Sequence, residues 1–132
     1  MLYMLDTNTC SYIIRNRPQH IKEKLEEVER NHTIGLSSVV VSELFYGAYK
    51  KGSRGLVRLV ESFVDYFEIY DYDLRAAVEY GKLRAELERK GVTIGAYDLQ
   101  IAAHAISLNA VLVTNNLREF KRIRGLRVES WV

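Results

Sequence analysis

With 132 residues, 48% hydrophobic and 27% charged, the chain has the composition of one soluble globular domain, able to bury about two-thirds of its unfolded surface. A net charge of +2 is too small to imply nucleic-acid binding by itself, and the single cysteine, Cys10, excludes a disulfide framework and a cysteine-rich zinc module. No apolar run approaches the roughly 20 residues of a membrane helix, and no basic-then-apolar signal opens the chain, so a reducing, cytoplasmic setting without membrane attachment is expected.

The chain opens on an apolar run, Leu2-Tyr3-Met4-Leu5, that stops on Asp6-Thr7-Asn8. Such a run, bounded by polar turn residues, predicts a buried strand. Ligands of open α/β sheets sit beyond the carboxyl ends of the strands, which marks Asp6 as the first ligand of a divalent-metal site. Cys10 to Arg15 predicts a short helix that stops near Arg17-Pro18, because proline disfavours helical backbone in the residue before it. His20 to Arg30 carries Ile21, Leu25 and Val28 at helical spacing in a charged segment, the pattern of a surface amphipathic helix. Thr33 to Leu36 is a second short strand.

Ser37-Ser38 offers an N-cap for a helix from Val39 to Lys50. Glu43 is the one acid in that helix and sits among Val40, Val41, Leu44 and Phe45. It either faces solvent or turns into a cleft, and Gly47 one turn on leaves the surface beside it open. Lys51 to Gly55 is a basic turn, Leu56 to Tyr66 an amphipathic helix, and Phe67 to Tyr70 a third strand. Asp71-Tyr72-Asp73 caps a helix from Leu74 to Arg89, which Gly91 ends.

Thr93 to Ala96 leads into a helix from Tyr97 to Leu108 that is apolar nearly all round and is expected to be central and buried. Asp98 lies in its first turn, either as a capping acid favoured by the helix dipole or as part of a site. His104, about 240° further round, is assigned a structural role. Ala110 to Val113 is a strand like the first, ending on Thr114-Asn115-Asn116, and Arg127 to Glu129 is the last strand. Arg118, Lys121, Arg122, Arg124 and Arg127 crowd the closing segment, as phosphate contacts or as a solvated basic rim.

Strands ending in polar clusters, with helices between them, predict a single domain over residues 1–132. Its fold class is α/β, a three-layer α/β/α sandwich around a central parallel sheet. Asp6, Glu43 and Asp98 come from three distant elements, and their convergence would be costly by like-charge repulsion unless a hard cation joined them. Mg²⁺ or Mn²⁺ takes oxygen ligands, keeps waters and binds phosphate. The sequence carries no glycine-rich phosphate loop and no metal-type histidine pair.

Four blocks in order, Met4-Leu5-Asp6-Thr7-Asn8, Ser37 through Gly47, Tyr97 through Ala105 and Val113 through Phe120, resemble the PIN-domain family, most closely VapC-type ribonuclease toxins of toxin–antitoxin pairs. The resemblance implies a Mg²⁺- or Mn²⁺-dependent endoribonuclease, an RNA substrate, a small VapB-like antitoxin and a homodimer. It implies that Asp6, Glu43 and Asp98 are the catalytic acids and metal ligands, with Asp6 and Asp98 most direct and Glu43 acting through water. Asn8 and Thr114 would hydrogen-bond to the carboxylates or the metal's waters, and Arg118, Lys121 and Arg122 would contact RNA.

The chain departs from the family pattern at Asn116, where many PIN domains carry an aspartate. Glu119 either takes over part of that role or is an exposed helix residue paired with Arg118 or Arg122. Two other classes stay open. One is a non-catalytic RNA-binding PIN module. The other is an aspartyl-nucleophile phosphatase, whose second carboxylate two residues after the nucleophile is here Asn8.

Overall fold

The computed structural model describes residues 1–16 and 18–132. Five strands form one parallel sheet: β1 (Leu2–Leu5), β2 (Thr33–Ser37), β3 (Glu68–Tyr70), β4 (Val111–Val113) and β5 (Arg127–Glu129), in the spatial order β3-β2-β1-β4-β5. Among the described residues seven helices connect them: α1 (Thr7–Arg15), α2 (Gln19–Glu29), α3 (Ser38–Lys51), α4 (Arg54–Tyr66), α5 (Leu74–Arg89), α6 (Ala96–Ser107) and α7 (Leu117–Phe120). Every strand pair is parallel, as βαβ crossovers require, and the helices flank the sheet in the expected α/β/α arrangement. No helix among the described residues is long and apolar enough to cross a membrane.

The burial of the strands follows from their place in the sheet. In β1, Met4 and Leu5 are buried; in β4, Val111, Leu112 and Val113 are all buried, the mark of a strand covered on both faces. The outer strands β3 and β5 are more exposed. Helix α6 supplies Leu99, Ile101, Ala102, Ala103 and Ala105 to the core, so the helix read as apolar all round is the buried one. Each of the larger of these side chains contributes about 1.5–3 kcal/mol on burial.

From β1 the chain moves to β2 and β3 on one side, then returns to the other side of β1 for β4 and β5. The sheet therefore has its topological switch point between β1 and β4, where ligands of open α/β sheets bind. Register places Leu5 beside Val113, so Asp6 and Thr114 emerge together at the carboxyl edge.

Several boundaries differ from the sequence expectation. Helix α1 begins at Thr7 and not at Cys10, because Asp6 leaves the strand with extended backbone and serves as its N-cap. The same helix closes on Asn16 in the left-handed conformation (φ 55°). Arg17, at the expected stop, lies outside the described residues. Pro18 then stands as the extended residue in front of α2. Helix α7, where Glu119 was read as a helix residue, is a single turn anchored by buried Phe120.

Candidate active site

Asp6 is 7% exposed at the end of the central strand. Its backbone N–H donates to the Val113 carbonyl at 3.0 Å, which extends the β1–β4 ladder by one residue. One carboxylate oxygen, Oδ1, accepts from the Thr9 backbone N–H at 2.8 Å. Thr9 in turn directs its hydroxyl to the Val113 carbonyl at 3.4 Å. An N-cap contact of this kind fixes the carboxylate's orientation and occupies one oxygen face.

Asp98 lies half-buried in the first turn of α6. Burial first, then the neighbouring charges of Glu119 and Asp6, push its carboxyl up to about 6. Asp98 on α6 therefore feels the charges of Glu119 on α7 and of Asp6 at the end of β1. Tyr97, one residue earlier, is hydrogen-bonded through its hydroxyl to that of Thr7, tying the start of α6 to the start of α1. Burial raises the Tyr97 phenol well above its ordinary range, and Glu43 and Asp6 add to the rise.

Glu43 is exposed on the second turn of α3, on the side where its charge reaches Tyr97. The helix that carries it is capped by Ser37, whose Oγ accepts from the Val39 N–H at 3.1 Å. Ser38 Oγ accepts from the Tyr72 N–H at 2.9 Å, docking the β3–α5 turn against the same helix start. His104 is 1% exposed, with Nδ1 2.8 Å from Ser37 Oγ and its ring edge-on to Tyr72. It is structural, as its position on the helix suggested, and joins α6 to the turn ahead of α3.

Among the described residues, no three His, Cys, Asp or Glu side chains are drawn together closely enough to form a ready-made metal cage. The donor set nonetheless fits a hard cation. It is all carboxylate oxygen, and the charges of Glu119 and Asp6, which add to the effect of burial on Asp98, are a repulsion that a divalent ion would relieve. Mg²⁺ in particular is held by one or two carboxylates and keeps several waters, so it needs no closed cage.

The remaining expected residues fall in different places. Asn8 is exposed and has no side-chain hydrogen bond among the described residues; the neighbour bonded to Asp6 is Thr9. Thr114 is buried, and its hydroxyl accepts from the Asn116 N–H at 3.0 Å, shaping the turn after β4. Asn116 donates through Nδ2 to Glu119 Oε2 at 2.8 Å. Among the described residues Glu119 forms no ion pair with Arg118 or Arg122, whose guanidinium Nε donates instead to the Glu119 backbone carbonyl at 3.4 Å. The amide at position 116 therefore holds Glu119 in place beside Asp98.

The basic segment divides. Arg118 and Lys121 are exposed near the site, and Arg122 also donates to the Thr93 carbonyl at 3.3 Å. Arg127 is bound to Asn109 at the opposite, amino edge of the sheet, with bonds of 2.8 and 2.9 Å, and does not belong to the site. Thr9 and Tyr97 are the site residues that sequence reasoning missed. Thr9 was legible as the third residue after a capping acid, whereas Tyr97 gives no local signal.

The PIN domain model matches residues 3–126. The chain is 48% identical over 131 residues to the tRNA(fMet)-specific endonuclease VapC of Salmonella typhimurium, covering 98% of this chain and 97% of that protein. It is 47% identical over 132 residues to ribonuclease VapC2 of Rickettsia felis, covering 99% and 98%. The crystal structure of VapBC2 from Rickettsia felis bound to a promoter DNA fragment is similar with a TM-score of 0.88 at 46% identity, covering 100% of both chains. With the four sequence blocks meeting at one sheet edge and the match running nearly end to end, the chain belongs to the PIN domain family.

Proposed function

We propose that this chain is an endoribonuclease, the toxin of a toxin–antitoxin pair, which hydrolyses RNA phosphodiester bonds at a site built on Asp6, Asp98 and Glu43. The observation that supports it best is Asp6 at the switch point of the sheet with its charge reaching Asp98, a carboxyl raised to about 6 by burial first and then by Glu119 and Asp6. Asp6 and Asp98 would hold a Mg²⁺ or Mn²⁺ ion directly, and Glu43 through water. When bound, such an ion activates water as the nucleophile and screens charge growing on the leaving oxygen.

The chain's own residues do the rest. Thr9 holds the Asp6 carboxylate in one orientation, leaving Oδ2 as the oxygen without the cap contact. Glu43, exposed with its charge reaching Tyr97, would accept a hydrogen bond from an attacking water. Asn116 holds Glu119 where a fourth acid would otherwise act. Arg118, which shares a surface pocket with Glu119, and the exposed Lys121 would meet the phosphates flanking the scissile bond.

The Rickettsia felis and Salmonella typhimurium structures are of VapBC, which supports a VapB-like antitoxin as the partner of this chain. A homodimer is part of the same proposal. The test is sequencing of RNA ends after controlled expression of the parent and of Asp6→Asn. New 5′ ends at discrete positions, absent with Asp6→Asn, are expected. RNA binding without cleavage by the parent would instead favour a non-catalytic module.

A further inference from the structure

Helix α3 carries a stripe that begins at the site and leaves it. Glu43, Tyr46, Gly47 and Lys50 stand at i, i+3, i+4 and i+7, one face of the helix. Tyr46 and Tyr49 are 59% and 66% exposed, high for rings of that size. Lys50 Nζ lies 5.7 Å from the centre of the Tyr46 ring, and Tyr49 stacks on Phe45 at 6.3 Å. A Cβ added at Gly47 would meet nothing within 4 Å, so the face between Glu43 and Lys50 is open to close approach.

At Tyr49 the surface continues as a groove between α3 and α4 with an apolar floor that includes Ala48 and Val57, and with Arg54, Arg58 and Glu61 also lining it. Lys50, Lys51, Arg54 and Arg58 are all exposed. Ion pairs form on α2 and α5, as in Lys24–Glu27, Lys82–Glu79, Arg84–Glu88 and Lys90–Glu86, although Lys22, Arg75 and Arg89 there have none. Among the described residues, Lys50, Lys51, Arg54 and Arg58 likewise have no acidic partner. Exposed aromatic faces interleaved with unpaired cations match a polyanion whose bases are free to stack, which is single-stranded and not duplex RNA.

We infer that this face of α3 and α4 is a docking track for single-stranded RNA. Tyr46 and Tyr49 are its stacking platforms, and Lys50, Lys51, Arg54 and Arg58 meet its phosphates. The track feeds the strand past Glu43 toward Asp6 and Asp98, and so rests on the RNA-cleaving reading of the site.

The test measures fluorescence anisotropy of a labelled single-stranded RNA of mixed sequence, across a salt series, in the non-cleaving Asp6→Asn background. Tyr46→Ser with Tyr49→Ser is expected to weaken binding about tenfold with an unchanged salt slope. Tyr46→Phe with Tyr49→Phe should restore it, because stacking needs the ring and not the hydroxyl. Lys50→Gln, Lys51→Gln, Arg54→Gln and Arg58→Gln together should flatten the slope by about 0.7 for each phosphate no longer neutralised. RNA affinity and salt slope unchanged in both sets overturns the track, and loss of antitoxin binding in their place would assign the face to a protein partner. A parent chain that binds RNA through this face yet never cleaves it would sink the nuclease reading and leave the track standing.

Discussion

The hydroxyls of Thr7 and Tyr97 are hydrogen-bonded to each other, although 90 residues separate them. Thr7 directly follows Asp6 and Tyr97 directly precedes Asp98, so this contact joins the residues beside the two acids. With its phenol held above the ordinary range by burial, Tyr97 stays protonated and able to donate. This neutral contact would set the spacing of the carboxylates, whose charges repel.

Tyr97→Phe keeps the ring and removes the tie. The expected loss of stability is about 0.5–1.5 kcal/mol, the range for one hydrogen bond, with a rise in the Mg²⁺ concentration needed for half-maximal RNA cleavage. Thermal melts and a metal titration check this; an unchanged titration curve would show that the tie does not set the spacing.

Asp6 has two roles that substitution can separate. Asn accepts the Thr9 N–H as Asp does, so Asp6→Asn should melt within about 0.5 kcal/mol of the parent and yet lose cleavage. Asp6→Ala should lose cleavage and a further ~1 kcal/mol from the missing cap. Equal stability of the two variants would mean that the cap contributes nothing.

Glu119 and Asn116 form a second separable pair. Asn116→Asp removes the donor that holds Glu119 and sets two carboxylates side by side, which should tighten divalent-metal binding while lowering stability in metal-free buffer. Glu119→Gln should weaken metal binding and lower the pKa of Asp98, since a charge acting on it is gone. Isothermal titration with Mn²⁺ reads both effects, and identical curves for parent and variants would remove Glu119 from the site.

His104 gives stability a pH dependence. Burial lowers its pKa, against smaller opposing effects from Asp73 and Asp71. The depressed value means that the unfolded chain takes up the proton first. The contribution is thus fully present above the unfolded value of about 6.5 and is lost as pH falls through the folded value. Asp98, raised to about 6, acts with the opposite sign over a neighbouring range. A comparison of parent and His104→Gln in urea, from pH 7.5 down to ~5 with chelator present, isolates the histidine. The parent should lose stability faster than the variant on acidification, and parallel curves would refute the assignment.

Gly35 in β2 faces the Tyr70 ring of β3. A Cβ there would lie 2.5 Å from one ring carbon and 3.1 Å from the Glu68 carbonyl oxygen. Gly35→Ala is therefore expected to cost about 1–3 kcal/mol by overpacking. Urea denaturation measures it, and a neutral result would mean that the ring swings aside freely.

The sequence by itself determined the elements and the parallel sheet, and marked the acids as candidates. Apolar runs stopped by polar clusters, such as Leu2-Tyr3-Met4-Leu5 before Asp6, are local patterns that each report one strand end. The caps at Ser37 and Asp73 were legible for the same reason, because an N-cap acts within three residues. Which residues stand beside those acids was decided by tertiary structure alone. The Thr7–Tyr97 contact, the approach of Glu119 to Asp98 and the departure of Arg127 to Asn109 all join residues distant in sequence or placed by a loop. Local pattern carries no record of such pairings, since they exist only once the switch point between β1 and β4 has brought separate strand ends to one edge.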